Sequence, residues 1–490
     1  MNAAGYLLAP GEPDAIALEC GEACMSYGAL RGAVGQAAGA WRARGLDKGE
    51  RVLVFAPDGI DWAIAYLGAI WAGGVAVGLN SRLFERELSV VLSESDARFI
   101  WCNESSRAVL ERLLVGIKNP PQLVIDTQWS ASLASLKPLA AVELPDDAPA
   151  MWIYTSGTTG IPKAVIHGQR SFIASADFAR EILGLGAKDR IYASSKMFFA
   201  YALGNSFCAG LRLGATVILD PEWPTAERVA EIVERHRPTT LFSVPTLYLK
   251  MLQSGVAERC AAAGVRHYVS AGEALPPAVR KGWKDAAGVA PVSGYGASET
   301  VVLVFYCDDD SLTLKPSPGL EYSLRDSAED GAPRRLWLRH TSIALGYWQR
   351  PEVERDSFSD SRFSPGDLFR RRDDGRVEFC GRDDDMLKIS GQWVSILQVE
   401  QTLLGASAGS VDCLAAVGFD NAEGLVSIAL FVVPARGRES EAQKRINAGI
   451  EALPKLKRPR FVKWVKELPL TATGKLQRRK LKEQYLENTA

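Results

Sequence analysis

The chain predicts an α/β architecture, on three observations. Short apolar strands alternate with amphipathic helices, a glycine-punctuated hydroxyl loop directly follows one such strand, and the texture changes twice toward the C-terminus. The strands expected, in order, are Arg51–Ala56, Val75–Gly78, Phe99–Cys102, Leu123–Asp126, Ile191–Ala193, Thr216–Leu219, Leu241–Val244 and His267–Ser270. They read as near-continuous apolar runs, the pattern of parallel strands buried on both faces. Among the helices, Ala226–His236 sets Val229, Ile232 and Val233 on one face, with Thr225 placed to cap its N-terminus. Trp62 to Leu79 is 18 residues without a charge, the lower limit for a membrane span. Gly73-Gly74 interrupts it and Val75-Ala76-Val77 then reads as a strand, so a buried helix turning into a buried strand is expected.

From about Glu321 the pattern becomes short strands with turns (Glu321–Leu324, Leu336–Leu338, Val377–Cys380), and beyond Gly381-Arg382-Asp383-Asp384-Asp385 it becomes a compact α+β unit. The expected organisation is a large N-terminal domain, 1–383, of layered parallel α/β subdomains with a small β-barrel-like subdomain, followed by a small mobile α+β C-terminal domain, 384–490.

Bulk composition excludes several classes of function. At 490 residues the chain is too long for one ordinary core, and 47% hydrophobic with 23% charged residues describes a normal soluble protein. A formal charge of −1 gives no global pull toward nucleic acid or anionic membrane. Eight cysteines without a C-x-x-C predict free, mostly buried thiols in a reducing compartment, and no signal peptide is recognised, so the expected location is cytoplasmic. Four histidines, none paired at ligand spacing, argue against a metal hydrolase. The tail is locally basic: Lys455 to Lys482 holds eleven Lys and Arg against the single acid Glu467. With no aromatic interleaving or nucleic-acid motif, a polyphosphate ligand accounts for this charge more simply than nucleic acid does.

The residues that carry chemistry form four clusters. Tyr154-Thr155-Ser156-Gly157-Thr158-Thr159-Gly160-Ile161-Pro162-Lys163 suits phosphate oxygens. Gly157 and Gly160 let backbone N–H groups approach, Thr155, Ser156, Thr158 and Thr159 donate hydrogen bonds, and Lys163 adds a mobile positive charge. It is not a Walker A loop, because two residues separate the glycines and Ala164 follows the lysine. The bland reading is a solvated turn between two strands. Gly294-Tyr295-Gly296-Ala297-Ser298-Glu299-Thr300 offers glycines for a flat ligand and a hard carboxylate for Mg²⁺ at Glu299. Gly366-Asp367 and Gly381-Arg382 supply a carboxylate and a guanidinium suited to ribose hydroxyls. Near the end, Leu468 to Lys475 places one lysine on a Thr/Gly-rich loop.

Together and in this order the clusters resemble the adenylate-forming superfamily of acyl-CoA synthetases, peptide-synthetase adenylation domains and luciferases, over nearly the whole chain. Within it the chain is most similar to benzoate-CoA ligases and related aryl-acid CoA ligases. Ser195 to Asn205, Ser270 to Pro276 and Asp385 to Ser395 carry that similarity. The resemblance implies that the 154–163 loop binds the phosphates of ATP, that Ala271, Gly272 and Glu273 with Gly294, Tyr295 and Gly296 sandwich adenine, and that Ser298 contacts phosphate. It further implies that Glu299 holds Mg²⁺, that Asp367 and Arg382 hold ribose, that Lys475 is catalytic for adenylation, and that Asp384 is the hinge of the small domain. The acid pocket is expected near Phe199, Ala200 and Tyr201, closed by Val301 and Val302, with plain core packing as the competing reading for each aromatic residue. Phe198–Asn205 holds no aspartate to pair with an ammonium, which counts against an α-amino acid.

The reaction implied is acyl-AMP formation from ATP and an aryl acid, followed by transfer to CoA. A carrier-protein thiol or an amine is the alternative acceptor. A non-catalytic nucleotide-binding protein is disfavoured, because Lys475, Glu299, Asp367 and Arg382 are all present.

Overall fold

The computed structural model describes residues 1–133, 135–156, 162–311, 313–325, 332–382, 385–389, 392–420, 426–470 and 476–485. The chain divides into two compact units. The first gathers most of the chain up to Glu321 together with Leu338–Phe363, and the second gathers Tyr322–Trp337 and Ser364–Ala490.

The first unit is built on two sheets. One has nine strands in the order Lys315–Pro316, Phe305–Cys307, Val292–Tyr295, His267–Ser270, Thr240–Ser243, Arg190–Ala193, Thr216–Leu219, Ile16–Cys20, Ala23–Ser26. The run from Val292–Tyr295 to Ile16–Cys20 is parallel throughout, and the outer strands are antiparallel. Strand order reverses at Arg190–Ala193, whose two neighbours are the next two strands in sequence. A crevice beyond the carboxyl ends of parallel strands at such a reversal is where α/β sheets bind ligands.

The other sheet has seven strands in the order Gly346–Tyr347, Pro162–Gly168, Pro149–Ser156, Val75–Gly78, Arg51–Phe55, Phe99–Cys102, Gln122–Ile125. The helix Ile60–Trp71 is apolar on every side and buried from Trp62 to Ile70. With Tyr27–Ala43 it belongs to a core cluster that takes Val52, Val54 and Met151 from one sheet and Leu18, Val217 and Leu219 from the other. The helices therefore lie between the sheets, and an element covered on both sides needs no polar face. The uncharged stretch thus resolves into helix, a turn with Gly73 at φ +87°, and the strand Val75–Gly78. Among the described residues no helix is long and apolar enough to cross a membrane.

All eight expected strands form within a residue of their expected bounds; Val75–Gly78, Phe99–Cys102, Thr216–Leu219 and Thr240–Ser243 are buried at every residue, and Arg51–Phe55, Arg190–Ala193 and His267–Ser270 fall short of that only at terminal residues. The strand read as Leu123–Asp126 is Gln122–Ile125, and its start is not buried on both faces, because it is an edge paired only with Phe99–Cys102. The helix Ala226–His236 begins where expected, with the Thr225 hydroxyl accepting from Arg228 N. All eight cysteines are free thiols, five of them buried.

In the second unit, Asp367–Arg371 and Val377–Arg382 form an antiparallel pair. Its C-terminal part packs Val411–Asp420 antiparallel to Val426–Pro434, which pairs in parallel with Phe461–Trp464. The helices Ile396–Ala406 and Glu439–Ala452 share a core with these strands through Val399, Leu403, Ala442 and Ile446. Arg478, at the start of the helix Arg478–Tyr485, makes a two-pronged pair with Glu400 at 2.8 Å and 2.8 Å.

Candidate active site

Four parallel strands of the nine-stranded sheet end side by side, at Ala193, Ser243, Ser270 and Tyr295. The segments expected to bind acid and adenine are the continuations of three of them. After Ala193 the chain is held from both sheets. Ser194 N donates to Phe242 O at 2.9 Å, and the Ser194 and Ser243 hydroxyls meet at 2.7 Å. Asp58, from the loop after Arg51–Phe55, accepts from Met197 N at 3.1 Å. Burial pushes the Asp58 carboxyl up to about 7, although the nearby Lys196 opposes this. Lys196 donates to the main-chain oxygen of Asp220 at 2.6 Å, and Arg228 binds the Asp220 carboxylate at 2.8 Å. The segment so fixed presents Phe198 and Phe199, half-buried, with ring centroids 4.2 Å apart.

Ala200 is buried and Tyr201 half-buried. The Tyr201 hydroxyl donates to Val269 O at 2.8 Å, and its ring meets Phe242 edge-on at 6.0 Å. Tyr201 therefore serves as packed wall, with its polar end spent on the sheet. Ala271 is likewise core, packed with Phe242, Val269 and Leu303. Gly272 has φ +91°, a backbone that favours glycine, and it leads into the exposed Glu273.

Gly294 and Gly296 were expected to be small for a flat ligand. The structure supplies a different reason: a Cβ on Gly294 would lie 2.4 Å from Leu303 Cδ1, and one on Gly296 would lie 2.7 Å from Val302 O. The returning segment Val301–Phe305 already occupies those faces. Tyr295 meets Phe305 edge-on at 6.1 Å.

Beyond Gly296 the chain reaches the edge of the seven-stranded sheet. His167 Nε2 donates to Ser298 O at 2.8 Å, and Ala344 N donates to Glu299 O at 2.8 Å. Burial pulls His167 down to about 4, so the ring is neutral and its proton sits on Nε2, facing the carbonyl. The Glu299 side chain, only 10% exposed, accepts from the Tyr347 hydroxyl at 2.7 Å and lies 3.6 Å from Lys163 Nζ. Lys163 Nζ also stands 4.1 Å over the Tyr347 ring. The lysine read as a mobile charge is thus paired, on the strand Pro162–Gly168. Thr155 and Ser156 are strand residues too, opposite Lys163 and Pro162, so the hydroxyl-rich segment joins two antiparallel strands. Gly157, Thr158, Thr159 and Gly160 lie outside the described residues.

In the second unit Asp367 and Arg382 face each other across the strand pair, with Arg382 Nε 3.6 Å from Asp367 Oδ1. Asp384 and Lys475 lie outside the described residues.

This chain matches the AMP-binding enzyme family over residues 8–348 and the AMP-binding enzyme C-terminal domain over 398–475. The chain belongs to the AMP-binding enzyme family. Among its curated relatives, a 3-hydroxybenzoate–CoA/4-hydroxybenzoate–CoA ligase of Thauera aromatica is 37% identical, with 99% of this chain and 97% of that protein aligned. A benzoate–CoA ligase of the same organism is 35% identical, covering 89% and 86%. Two solved structures superpose over nearly the full length. A benzoate CoA ligase from Burkholderia xenovorans LB400 is 31% identical, with a TM-score of 0.86 over 98% of this chain and 99% of that one. An anthranilate CoA ligase in complex with anthranoyl-AMP is 27% identical, with a TM-score of 0.89 over 99% and 97%.

Residues that motif reading did not single out are Tyr347 and His167, which fix Glu299 and its loop, and Asp58, which fixes Met197. Each acts from a distant part of the sequence, and no local spacing marks it.

Proposed function

We propose that this AMP-binding enzyme activates benzoate or a hydroxybenzoate with ATP and passes the acyl group to CoA, yielding aryl-CoA, AMP and pyrophosphate. The observation that carries the reading is the meeting of Lys163, Glu299 and Tyr347, three residues from separate segments, around one carboxylate oxygen. Such a charged set suits a nucleotide, the half-buried Phe198 and Phe199 suit a ring, and the named relatives are aryl-acid CoA ligases.

In the first half-reaction a carboxylate oxygen of the acid attacks the α-phosphorus, the bond to the β-phosphate oxygen breaks, and pyrophosphate leaves. Charge grows on the phosphates, so fixed positive charge and positioning supply the catalysis. Lys163 and Glu299 form a pair that a nucleotide can divide, the ammonium turning to phosphate oxygens. Among the described residues no cluster of three metal-ligating side chains exists, yet a single buried carboxylate suits Mg²⁺, which keeps waters and takes its other ligands from phosphates. Bound there, Mg²⁺ would neutralise charge on the leaving pyrophosphate. Lys475 bridges carboxylate and α-phosphate in this reading, and Asp367 and Arg382 take the ribose.

In the second half-reaction the CoA thiol attacks the acyl carbon, AMP departs and the thiol proton goes to solvent. Rotation of residues 384–490 about Asp384 would exchange the group presented to the site, as two chemistries on one cleft require. An amino-acid substrate is opposed by the polar side chains of Phe198–Asn205, since both Tyr201 and Asn205 are committed to main-chain groups. The free thiols fit a reducing cytoplasm.

The test is pyrophosphate release over benzoate, 3- and 4-hydroxybenzoate, cinnamate, short fatty acids and amino acids, with and without CoA. Release with an aryl acid and CoA-dependent thioester supports the proposal. Release with no acid, or thioester only on a carrier protein, refutes it.

A further inference from the structure

The segment that closes the acid pocket contains a strained turn. Val302 N donates back to Thr300 O at 2.6 Å, and Val301 between them has φ +51°. This is a γ-turn of the rare positive-φ kind, centred on a β-branched residue that disfavours it. Such backbone persists only where its surroundings over-determine it, and it collects at ligand clamps.

What over-determines it lies on the helix facing it. Leu203–Cys208 is wound as a π-helix, a rare form that frequently occurs at functional sites. Within it, Gly204 has no room for a side chain: a Cβ there would lie 2.0 Å from Val301 O. Asn205, 3% exposed, uses its whole amide. Its Oδ1 accepts from Leu303 N at 2.9 Å, and its Nδ2 donates to Tyr201 O at 3.0 Å and to Val301 O at 3.4 Å. One side chain thus joins the backbone of Tyr201, on one wall, to that of Val301 and Leu303, on the other. The Thr300 hydroxyl closes the turn, bonding Ala297 N at 2.9 Å and Val302 O at 2.9 Å.

We propose that Asn205 sets which ring substituents the pocket accepts. It is a positioning residue, acting through the turn at Val301 and touching neither the acid nor the nucleotide. The inference rests on the aryl-acid reading of this cleft. Tyr201 and Val301 are the walls named for the ring, and Asn205 fixes their separation at backbone level, where an error of 1 Å decides whether a meta or para hydroxyl fits.

The experiment compares kcat/KM for pyrophosphate release with benzoate, 3-hydroxybenzoate and 4-hydroxybenzoate in the wild type, Asn205→Leu, Asn205→Ser and Gly204→Ala, with KM for ATP and thermal unfolding measured alongside. Asn205→Leu keeps the volume and removes the hydrogen bonds. Asn205→Ser keeps a short hydroxyl and covers the case in which the leucine variant does not fold. Gly204→Ala keeps Asn205 and displaces Val301 directly. The expected result is a change of about tenfold or more in the ratio of kcat/KM between acids, the scale of losing one to two buried hydrogen bonds, with KM for ATP within about threefold of wild type. Asn205→Ser should show a smaller change in the same direction, and Gly204→Ala a change without loss of any Asn205 group. Equal loss on all three acids, or a proportional rise in KM for ATP, overturns the proposal and leaves Asn205 a purely structural residue. A wild type inactive on every aryl acid would instead overturn the function proposed above, so the two failures are distinct.

Discussion

Tyr347 donates a 2.7 Å hydrogen bond to Oε1 of Glu299, the oxygen that Lys163 Nζ approaches to 3.6 Å while sitting 4.1 Å over the Tyr347 ring. The three residues form a closed set in which each contacts the other two. A hydroxyl and an ammonium on one carboxylate oxygen hold its orientation. The Ala344 bond to Glu299 O fixes the backbone beneath it.

Tyr347→Phe removes the hydroxyl and leaves the ring under Lys163. A hydrogen bond to a buried charged group contributes about 1.5–3 kcal/mol, so pyrophosphate release should fall by about tenfold or more. The Mg²⁺ concentration for half-maximal rate should rise, because the carboxylate is less well placed. Titrating Mg²⁺ in the pyrophosphate assay checks both, and an unchanged Mg²⁺ dependence would separate Tyr347 from the metal-binding role assigned to Glu299.

Two buried groups give the fold opposing responses to pH. Asp58, pushed up to about 7 by burial with Lys196 and Asp220 close by, stays protonated in the native state where the unfolded chain has released its proton. Its contribution is therefore full below about pH 4 and lost as pH rises through 7. His167, pulled down to about 4 by burial against the pull of Glu299, stays neutral where the unfolded chain is protonated. Its contribution is full above about pH 6.5 and lost on acidification through 4. Over pH 4 to 6.5 the two slopes cancel. Asp58→Asn should thus make stability fall more steeply on acidification than in the wild type, and His167→Gln should make it fall less steeply. Urea unfolding at pH 5 and 7.5 measures both differences, and variants that run parallel to wild type would contradict the assignments.

Period and composition made the layout of the first unit legible, because strands buried on both faces advertise themselves as apolar runs. The exception was Gln122–Ile125, where edge position is a property of the sheet and not of the strand. The glycine motifs have a packing reason that the sequence does not display. At Gly294 and Gly296 the missing side chain accommodates Leu303 and Val302 of the same chain. Tyr347 stayed hidden for a similar cause, since a tyrosine in Leu345-Gly346-Tyr347-Trp348 looks like ordinary core until a carboxylate 48 positions away is folded against it. Long-range partners leave no local period to read.

The division of labour proposed for residues 384–490 makes its own prediction. Lys475→Ala should lower acyl-AMP formation by about a hundredfold or more, the scale of removing a main transition-state contact, and should affect thioester formation from preformed acyl-AMP much less. Asp384→Pro, which fixes φ, should instead impair the thioester step more than adenylation. Single-turnover assays of each half-reaction measure both, and equal losses in the two halves would contradict separate roles.

Gly294 offers a test of whether packing or ligand approach demands a glycine. A Cβ there would lie 2.4 Å from Leu303 Cδ1 and 2.9 Å from Cδ2, and Leu303 is buried with Phe242, Val269 and Ala271, so it has little room to turn aside. Gly294→Ala should therefore destabilise the protein by about 1–3 kcal/mol, as overpacking does. Leu303→Ala alone leaves a cavity and should cost about 2–5 kcal/mol. In the double variant the alanine at 294 fills part of that space, so the two effects should couple favourably by about 0.5–3 kcal/mol instead of adding. Urea unfolding of the four proteins gives that coupling. Pyrophosphate release gives the second axis: if the glycine serves packing, activity recovers together with stability in the double variant. Stability restored without activity would mean that the nucleotide itself requires the bare backbone at Gly294.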